Sequence, residues 1–374
     1  MTAPHVVLVG YYGRGNFGDD VLMTVAHGIA RVVLPGAAIA VRVEAGVSYP
    51  SRLIGEKVIS IPFGTREKHR LIIHGGGGTF FDFKQNSLLA RCGNSLLLSG
   101  GVRAFVHAEK ALRLVANKPR MSAQTRIGLG LGVGTFTSGS SKLLEALPLL
   151  ADFDHLWVRD QGSKSNLEKL SVGPLAIVGS DLAFLSDDWC PVDLKLAPRA
   201  KRGGKPKVGV ILRDWPVGSG PNFGEVLRPI MMTLSQNYDI TLISFDPTTD
   251  SGTLYALKEL PQQIWDPQSS NFASFSKMLS GHDALLTSRA HGAICGACLG
   301  RPSVILNIEP KLAAVHAMLP NATRLVRPSA NAVSIAILIE EVLAIPIDSI
   351  AEDVMFNRAS SENALKNIVQ RFVL

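Results

Sequence analysis

Apolar, β-branched runs alternate with helical patterns from the first residues of this 374-residue chain, break once, and then start again. HVVLVG, AIAVRV, KVISIP, RLIIHG, RIGLGLGVG and LWVRD read as buried strands, and LAIVGSDLAFL closes that series. After the first of them, Val21, Leu22, Val25, Ile29, Val32 and Val33 recur at helical spacing until Pro35 stops the pattern. Further helical patterns cover Gln85 to about Val115 and Ser140 to Leu150. Strands that are apolar throughout need cover on both faces, which parallel βαβ units provide. The expected fold class is therefore α/β.

The break is KLAPRAKRGGKPK, with six basic residues, two prolines, two glycines and no acid. It reads as a linker. Beyond it KVGVILRDW, DITLISF, DALLTS and PSVILNI restart the alternation, and NALKNIVQRFVL ends the chain as an amphipathic helix. The expected layout is one α/β domain over 1–194, the basic linker over 195–207, a second α/β domain over 208–355, and a helix over 356–374 that packs back on the first domain. A chain of this length exceeds one ordinary core. The ligand site expected of two such domains is a cleft at the carboxyl ends of their strands.

The bulk numbers remove several classes. Hydrophobic residues at 46% and charged ones at 18% describe a globular protein rather than a disordered one. The net charge of +7 favours anionic partners. Aromatics are only 6%, and no basic run interleaves with them as nucleic-acid stacking requires, so no nucleic-acid partner is expected. Val333 to Ile350 is apolar but carries Glu340 and Glu341, so no run spans a bilayer. With no signal pattern at the N-terminus either, the reading is cytoplasmic. The basic linker is either solvated or touches phosphates at the inner face of the membrane or a lipid-linked substrate. Of the four cysteines, Cys295 and Cys298 form a lone CxxC without a second ligand pair, so they read as small buried residues and no metal is expected.

Four stretches carry chemistry. GYYGRGNFGDD, Gly10–Asp20, follows a strand and opens a helix, with Gly13, Gly15 and Gly18 in GxGxxG spacing. Asp19 and Asp20 stand where a pyrophosphate would need the helix dipole, and Glu44 lies 26 residues past Gly18, a loose match to a ribose-binding acid. The alternative is that Asp19 caps the helix while the glycines turn the chain. LIIHGGGGTFFDF runs a strand into Gly75, Gly76, Gly77 and Gly78, with Asp82 beyond, and such a costly run favours close approach of a ligand. WVRDQGS sets Arg159 and Asp160 at another strand end, where Arg159 is either a ligand contact or simply the partner of Asp160. SRAHGAICGACLGRPSVILNIEPK is the richest block: Arg289 and His291 follow one strand and Lys311 the next, giving a forked cation, a titratable group and a point charge on one rim.

Together with VGSDLAF, these blocks resemble the polysaccharide pyruvyl transferase family, in the family's order and over about residues 8 to 311. The resemblance implies a GT-B-like fold of two Rossmann-like domains facing across a cleft, with the first domain on the acceptor side and the second on the donor side. It implies transfer of pyruvate from phosphoenolpyruvate onto two hydroxyls of a sugar as a cyclic ketal, in cell-surface polysaccharide biosynthesis. Phosphoenolpyruvate is the co-substrate, no cofactor is needed, and the acceptor is a sugar or a lipid-linked oligosaccharide. His291 matches the family's general acid, and Arg159, Arg289 and Lys311 match its donor-binding residues. Asn16, Asp19, Asp20, Gly75, Gly76, Gly77 and Asp82 are then expected on the acceptor side. The chain departs from the family pattern at Ala290, where a larger apolar residue is common, and at Asp20, where Glu is common. Three other readings compete: a sugar-nucleotide glycosyltransferase of the same architecture, a non-catalytic binding protein, and an NAD-dependent oxidoreductase that rests on GxGxxG alone.

Overall fold

The computed structural model describes residues 5–63, 67–77, 80, 101–102, 105–109, 121–134, 136, 140–199, 203–214 and 223–373. Asp82 and most of the helix expected over 85–115 lie outside these residues. The chain divides into two compact units, Met1–Gly13, Ala26–Leu182 and Ser360–Leu374 in the first, and Arg14–Val25 and Ala183–Ala359 in the second.

Unit 1 holds a seven-stranded, all-parallel sheet of β1 (Val6–Val9), β2 (Ile39–Val43), β3 (Ile59–Pro62), β4 (Lys68–Gly75), β5 (Ser122–Leu131), β6 (His155–Val158) and β7 (Ile177–Val178), in the order β3-β2-β1-β4-β5-β6-β7. Its first six strands have the dinucleotide-fold order, reversing between β1 and β4. Its helices among the described residues include α1 (Phe17–Val33), which begins among the residues of unit 2, then α2 (Pro50–Ile54), α3 (Ser141–Ala151) and α4 (Gln161–Leu170). Ser140 and Asp160 cap α3 and α4 through their side chains. One core packs Leu131, Leu150, Phe153, Leu156 and Val158 together. The stretch LAIVGSDLAFL is extended only at Ile177–Val178, and Leu182–Phe184 forms a 3₁₀ turn instead.

Unit 2 holds β8 (Lys207–Ile211), β9 (Asp239–Ser244), β10 (Gln262–Ile264), β11 (Ala284–Thr287), β12 (Ser303–Leu306) and β13 (Thr323–Val326). They too are all parallel, in the order β10-β9-β8-β11-β12-β13, so the same topology occurs twice. The helices are α5 (Phe223–Leu234), α6 (Ser251–Ala256), α7 (Phe272–Ser280), α8 (Ala290–Cys298), α9 (Pro310–Met318), α10 (Ala332–Leu343) and the long α11 (Ile347–Val373), whose residues from Ser360 onward belong to unit 1. The central β11 and β12, ALLT and SVIL, are buried at every residue, as their largely apolar sequence requires. The edge strands β10 and β13 were not expected. Half-exposed and partly polar, they carry no apolar run to mark them. Within the expected linker, Arg199 donates to the carbonyls of Leu343 and Ile345 at 2.7 and 2.6 Å. At the C-terminus, Ser361 in α11 donates to the Asp181 carbonyl at 3.4 Å.

Candidate functional site

In unit 2 the strand order reverses between β8 and β11, and open α/β sheets take their ligands beyond the carboxyl ends of the strands at such a point. Thr287 of β11 pairs with Ile211 of β8, so the segments leaving both strands start side by side. The first of them runs through Ser288 and Arg289 into α8, whose first two residues are Ala290 and His291. Thr287 fixes this turn. Its Oγ1 accepts from the Arg289 amide and donates to the Arg289 carbonyl, both at 3.0 Å. Gly292 leaves the hydroxyl its space, because a Cβ there would lie 2.3 Å from Thr287 Oγ1.

The loop opening α1 belongs to the same unit and meets His291. Asn16, not Asp19, caps α1: its Oδ1 accepts from the amides of Gly18 at 3.0 Å and Asp19 at 3.3 Å. The expectation of Asp19 as cap is thereby corrected, since the helix starts two residues earlier, at Phe17. Phe17 is fully buried among Phe245, Trp265 and Phe275, with ring centroids 4.8, 5.1 and 4.7 Å away, and this cluster anchors the helix start. The three glycines serve different ends. Gly13 and Gly15 take left-handed φ angles of 77° and 74°. Gly18 is helical and lies against His291, where a Cβ would stand 2.1 Å from the ring Nδ1.

The next two residues differ in environment. Asp19 keeps some exposure, yet burial pushes its carboxyl up to about 6, against the pull of His291, Arg289 and Lys311. Asp20 is fully buried, and its Oδ2 accepts from Trp265 Nε1 at 2.9 Å. Asn16 also reaches Asp246 Oδ2 at 3.4 Å.

The cations sit on buried carboxylates. Arg289 pairs with Asp250 and donates to Thr249 Oγ1 at 2.9 Å. Asp250 in turn accepts from Ser244 Oγ at 2.9 Å, and burial raises its carboxyl above the usual range although Arg289 opposes this. Lys311 Nζ lies 2.6 Å from Glu309 Oε1, and Arg213, two residues past β8, places Nη1 3.5 Å from the same oxygen. Arg213, Asp250 and Glu309 were absent from the sequence-based set. The only signal for Arg213 was its position at the end of KVGVIL, and Glu309 stood inside the quoted NIEPK.

Arg159 lies in unit 1, at the end of β6. Its Nε is 3.2 Å from Asp160 Oδ2 and its Nη1 3.8 Å from the buried Asp181. Gly132 gives its guanidinium room, since a Cβ there would approach Cζ to 2.8 Å. Asp160 also caps α4, accepting from the Ser163 amide at 2.6 Å. In the glycine run, Gly75 is explained by packing rather than by a ligand: its carbonyl accepts from Tyr12 OH at 2.5 Å, and a Cβ would meet that hydroxyl. Gly76 and Gly77 are left-handed, with φ of 66° and 85°. Among the described residues no cluster of His, Cys, Asp or Glu is placed to hold a metal ion, and no helix is long and apolar enough to cross a membrane.

Solved structures similar to this chain include the UDP-GlcNAc 2-epimerase of Neisseria meningitidis bound to UDP-GlcNAc, at TM-score 0.55 and 13% identity over 98% of both chains. The UDP-GlcNAc 2-epimerase of Methanocaldococcus jannaschii reaches 0.54 at 10% identity, covering 97% of this chain and 98% of its own. A UDP co-structure of MnaA from S. aureus reaches 0.57 at 11% identity, covering 97% and 94%. At such identities the likeness shows the fold alone: two Rossmann-like domains of the GT-B-like class, as the sequence led us to expect. No curated protein matches the chain in sequence. A family model does, over residues 16–310, which takes in Asn16, Asp19, Arg159, Arg289 and His291 and stops one residue short of Lys311, and on that match the chain belongs to the polysaccharide pyruvyl transferase family.

Proposed function

We propose that this chain transfers the pyruvate of phosphoenolpyruvate to two hydroxyls of one sugar residue, forming a cyclic ketal and releasing phosphate. The observation that carries the reading is the convergence of His291, Arg289 and Lys311 at the switch point of unit 2. A donor bearing a carboxylate and a phosphate suits two cations that buried carboxylates already hold in place.

His291 donates a proton to the methylene carbon, so the double-bond electrons form the new C–H bond and leave C2 electrophilic. A sugar hydroxyl adds to C2, and its proton passes to Asp19, whose raised carboxyl pKa of about 6 suits a general base. The C2–O bond to phosphate then breaks, with Arg289 and Lys311 taking up the departing charge, and the second hydroxyl closes the ketal at C2. One hydroxyl proton replaces the one His291 gave up, and the other leaves on hydrogen phosphate. Asn16 is assigned to an acceptor hydroxyl, and Gly76 and Gly77 to the acceptor loop. Asp20, held by Trp265, serves the packing. The donor role of Arg159 rests on the family resemblance.

The test is incubation with phosphoenolpyruvate and a panel of nucleotide sugars, oligosaccharides and lipid-linked oligosaccharides. Acceptor-dependent phosphate release, with a mass gain on the acceptor matching a pyruvate ketal, is the expected result. Release of nucleoside diphosphate without consumption of phosphoenolpyruvate would show a glycosyltransferase instead.

A further inference from the structure

Three neighbouring strands, β8, β11 and β12, each deliver a cation beyond their carboxyl ends: Arg213, Arg289 and Lys311. The first of these is built in rather than incidental. The Arg213 amide donates to Ser288 Oγ at 3.0 Å, which ties the segment after β8 to the residue just before Arg289. Its guanidinium approaches Glu309 Oε1 at 3.5 Å, the oxygen that Lys311 Nζ meets at 2.6 Å. Glu309 is only 4% exposed, whereas the side chains of Arg213 and Lys311 each keep 23%. Two cations thus meet one buried carboxylate and both retain surface through which a ligand can reach them. Both nitrogens lie within 3.5 Å of one oxygen, which places them side by side, and the planar fork of an arginine matches phosphate oxygens better than an ammonium does.

We propose that Arg213 is a further donor-binding residue, gripping the phosphate of phosphoenolpyruvate together with Lys311, and that Glu309 is the positioning residue that sets the two cations. The assignment of the ligand rests on the pyruvyl-transfer reading above. Removing the fork removes a charge-assisted contact, and removing the carboxylate leaves both cations charged but takes away the oxygen they share.

Calorimetric titration of the full chain with inorganic phosphate and, separately, with phosphoenolpyruvate tests this, with thermal melting as the folding control. Arg213→Gln is expected to weaken both ligands ~10–100-fold, and Arg213→Lys to recover part of the loss by restoring charge without geometry. Glu309→Gln is expected to bind phosphate at least as tightly as wild type, because a buried negative charge is gone, while its kcat falls ~10-fold or more through lost positioning. A merely structural carboxylate would not separate affinity from rate in that sense. Wild-type affinities in Arg213→Gln overturn the proposal, and so does a wild-type protein that binds neither ligand. Should Arg213→Gln not fold, Arg213→Lys decides: affinities and kcat equal to wild type refute the forked contact. Phosphate binding that depends on Arg213, without acceptor-dependent phosphate release from phosphoenolpyruvate, refutes pyruvyl transfer and leaves the anion site standing.

Discussion

Gly18→Ala adds one carbon where His291 already stands. The new Cβ would lie 2.1 Å from Nδ1, 2.5 Å from Cγ and 2.8 Å from Cβ of His291. Reaching even a close ordinary contact of 3.4 Å requires the ring nitrogen to move by about 1.3 Å. Rotation about χ1 carries the ring away but leaves the clash with His291 Cβ, so the starts of α1 and α8 must also part by a few tenths of an ångström. Gly18 is helical and takes no left-handed φ, so alanine fits its backbone and is the better helix former by up to ~1 kcal/mol. That gain offsets part of the ~1–3 kcal/mol that overpacking costs, so stability should fall by no more than ~2 kcal/mol while geometry at the proposed general acid is lost.

A displacement of about 1 Å costs on the order of 10²-fold in rate, and a general acid is worth ~10²–10⁴-fold altogether. Gly18→Ala is expected to lower kcat by ~10²-fold or more, with KM for phosphoenolpyruvate changed far less. The assay is acceptor-dependent phosphate release, run as a cycle with His291→Ala. Since the closest contacts of the new Cβ are with the imidazole, which His291→Ala removes, the double variant should be little slower than His291→Ala alone. A kcat near wild type in Gly18→Ala, or full additivity in the double variant, refutes the reasoning.

Other perturbations follow from the same contacts. Asp19 has a folded pKa of about 6 against an ordinary 3.8, so the folded chain binds the extra proton and stability falls as pH rises through that window. Asp19→Asn should match wild type in melting temperature near pH 4 and exceed it near pH 7.5, and an equal offset at both pH values would show the carboxyl is not strained. Trp265→Phe keeps the ring against Phe17 but removes the indole donor to the buried Asp20, which should cost ~1–3 kcal/mol in urea unfolding. Gly132→Ala pushes on the far end of Arg159, a flexible group, so it should raise KM for phosphoenolpyruvate while leaving the melting temperature nearly unchanged. An unchanged KM would detach Arg159 from donor binding.

Strand positions were legible because the central strands of both sheets contain runs of buried apolar residues, and a strand end is where an open α/β sheet exposes chemistry. That alone located His291, Arg289, Lys311 and Arg159. The edge strands β10 and β13 escaped notice because half-exposed strands need no apolar run. Asp250 and Glu309 escaped for another reason. Arg289 lies 39 residues from Asp250, and Arg213 reaches Glu309 from the end of a different strand although Lys311 is only two residues from it, and no local pattern encodes a contact made by sheet order. Glycine readings were the least secure. Gly75 and Gly18 both border strand-end loops, yet one makes way for Tyr12 and the other for His291, a difference that only packing decides.

The two helix starts that border His291 explain why the GxGxxG spacing holds no dinucleotide in our reading. Both α1 and α8 follow a strand at a point where sheet order reverses, and both present the positive end of a helix dipole. At α1 that end is already answered: Asn16 accepts two of the free amides, and Asp19 and Asp20 occupy the first turn. An incoming phosphate there would meet negative charge and amides already in use. At α8 the first turn carries no acid, the residue before it is Arg289, and Lys311 pulls on the same Asp19 carboxyl that Arg289 and His291 do. Electrostatics therefore send an anion to α8 and leave α1 to supply a carboxylate facing it. That division matches a reaction in which a phosphorylated donor is protonated on one side and a neutral hydroxyl is deprotonated on the other.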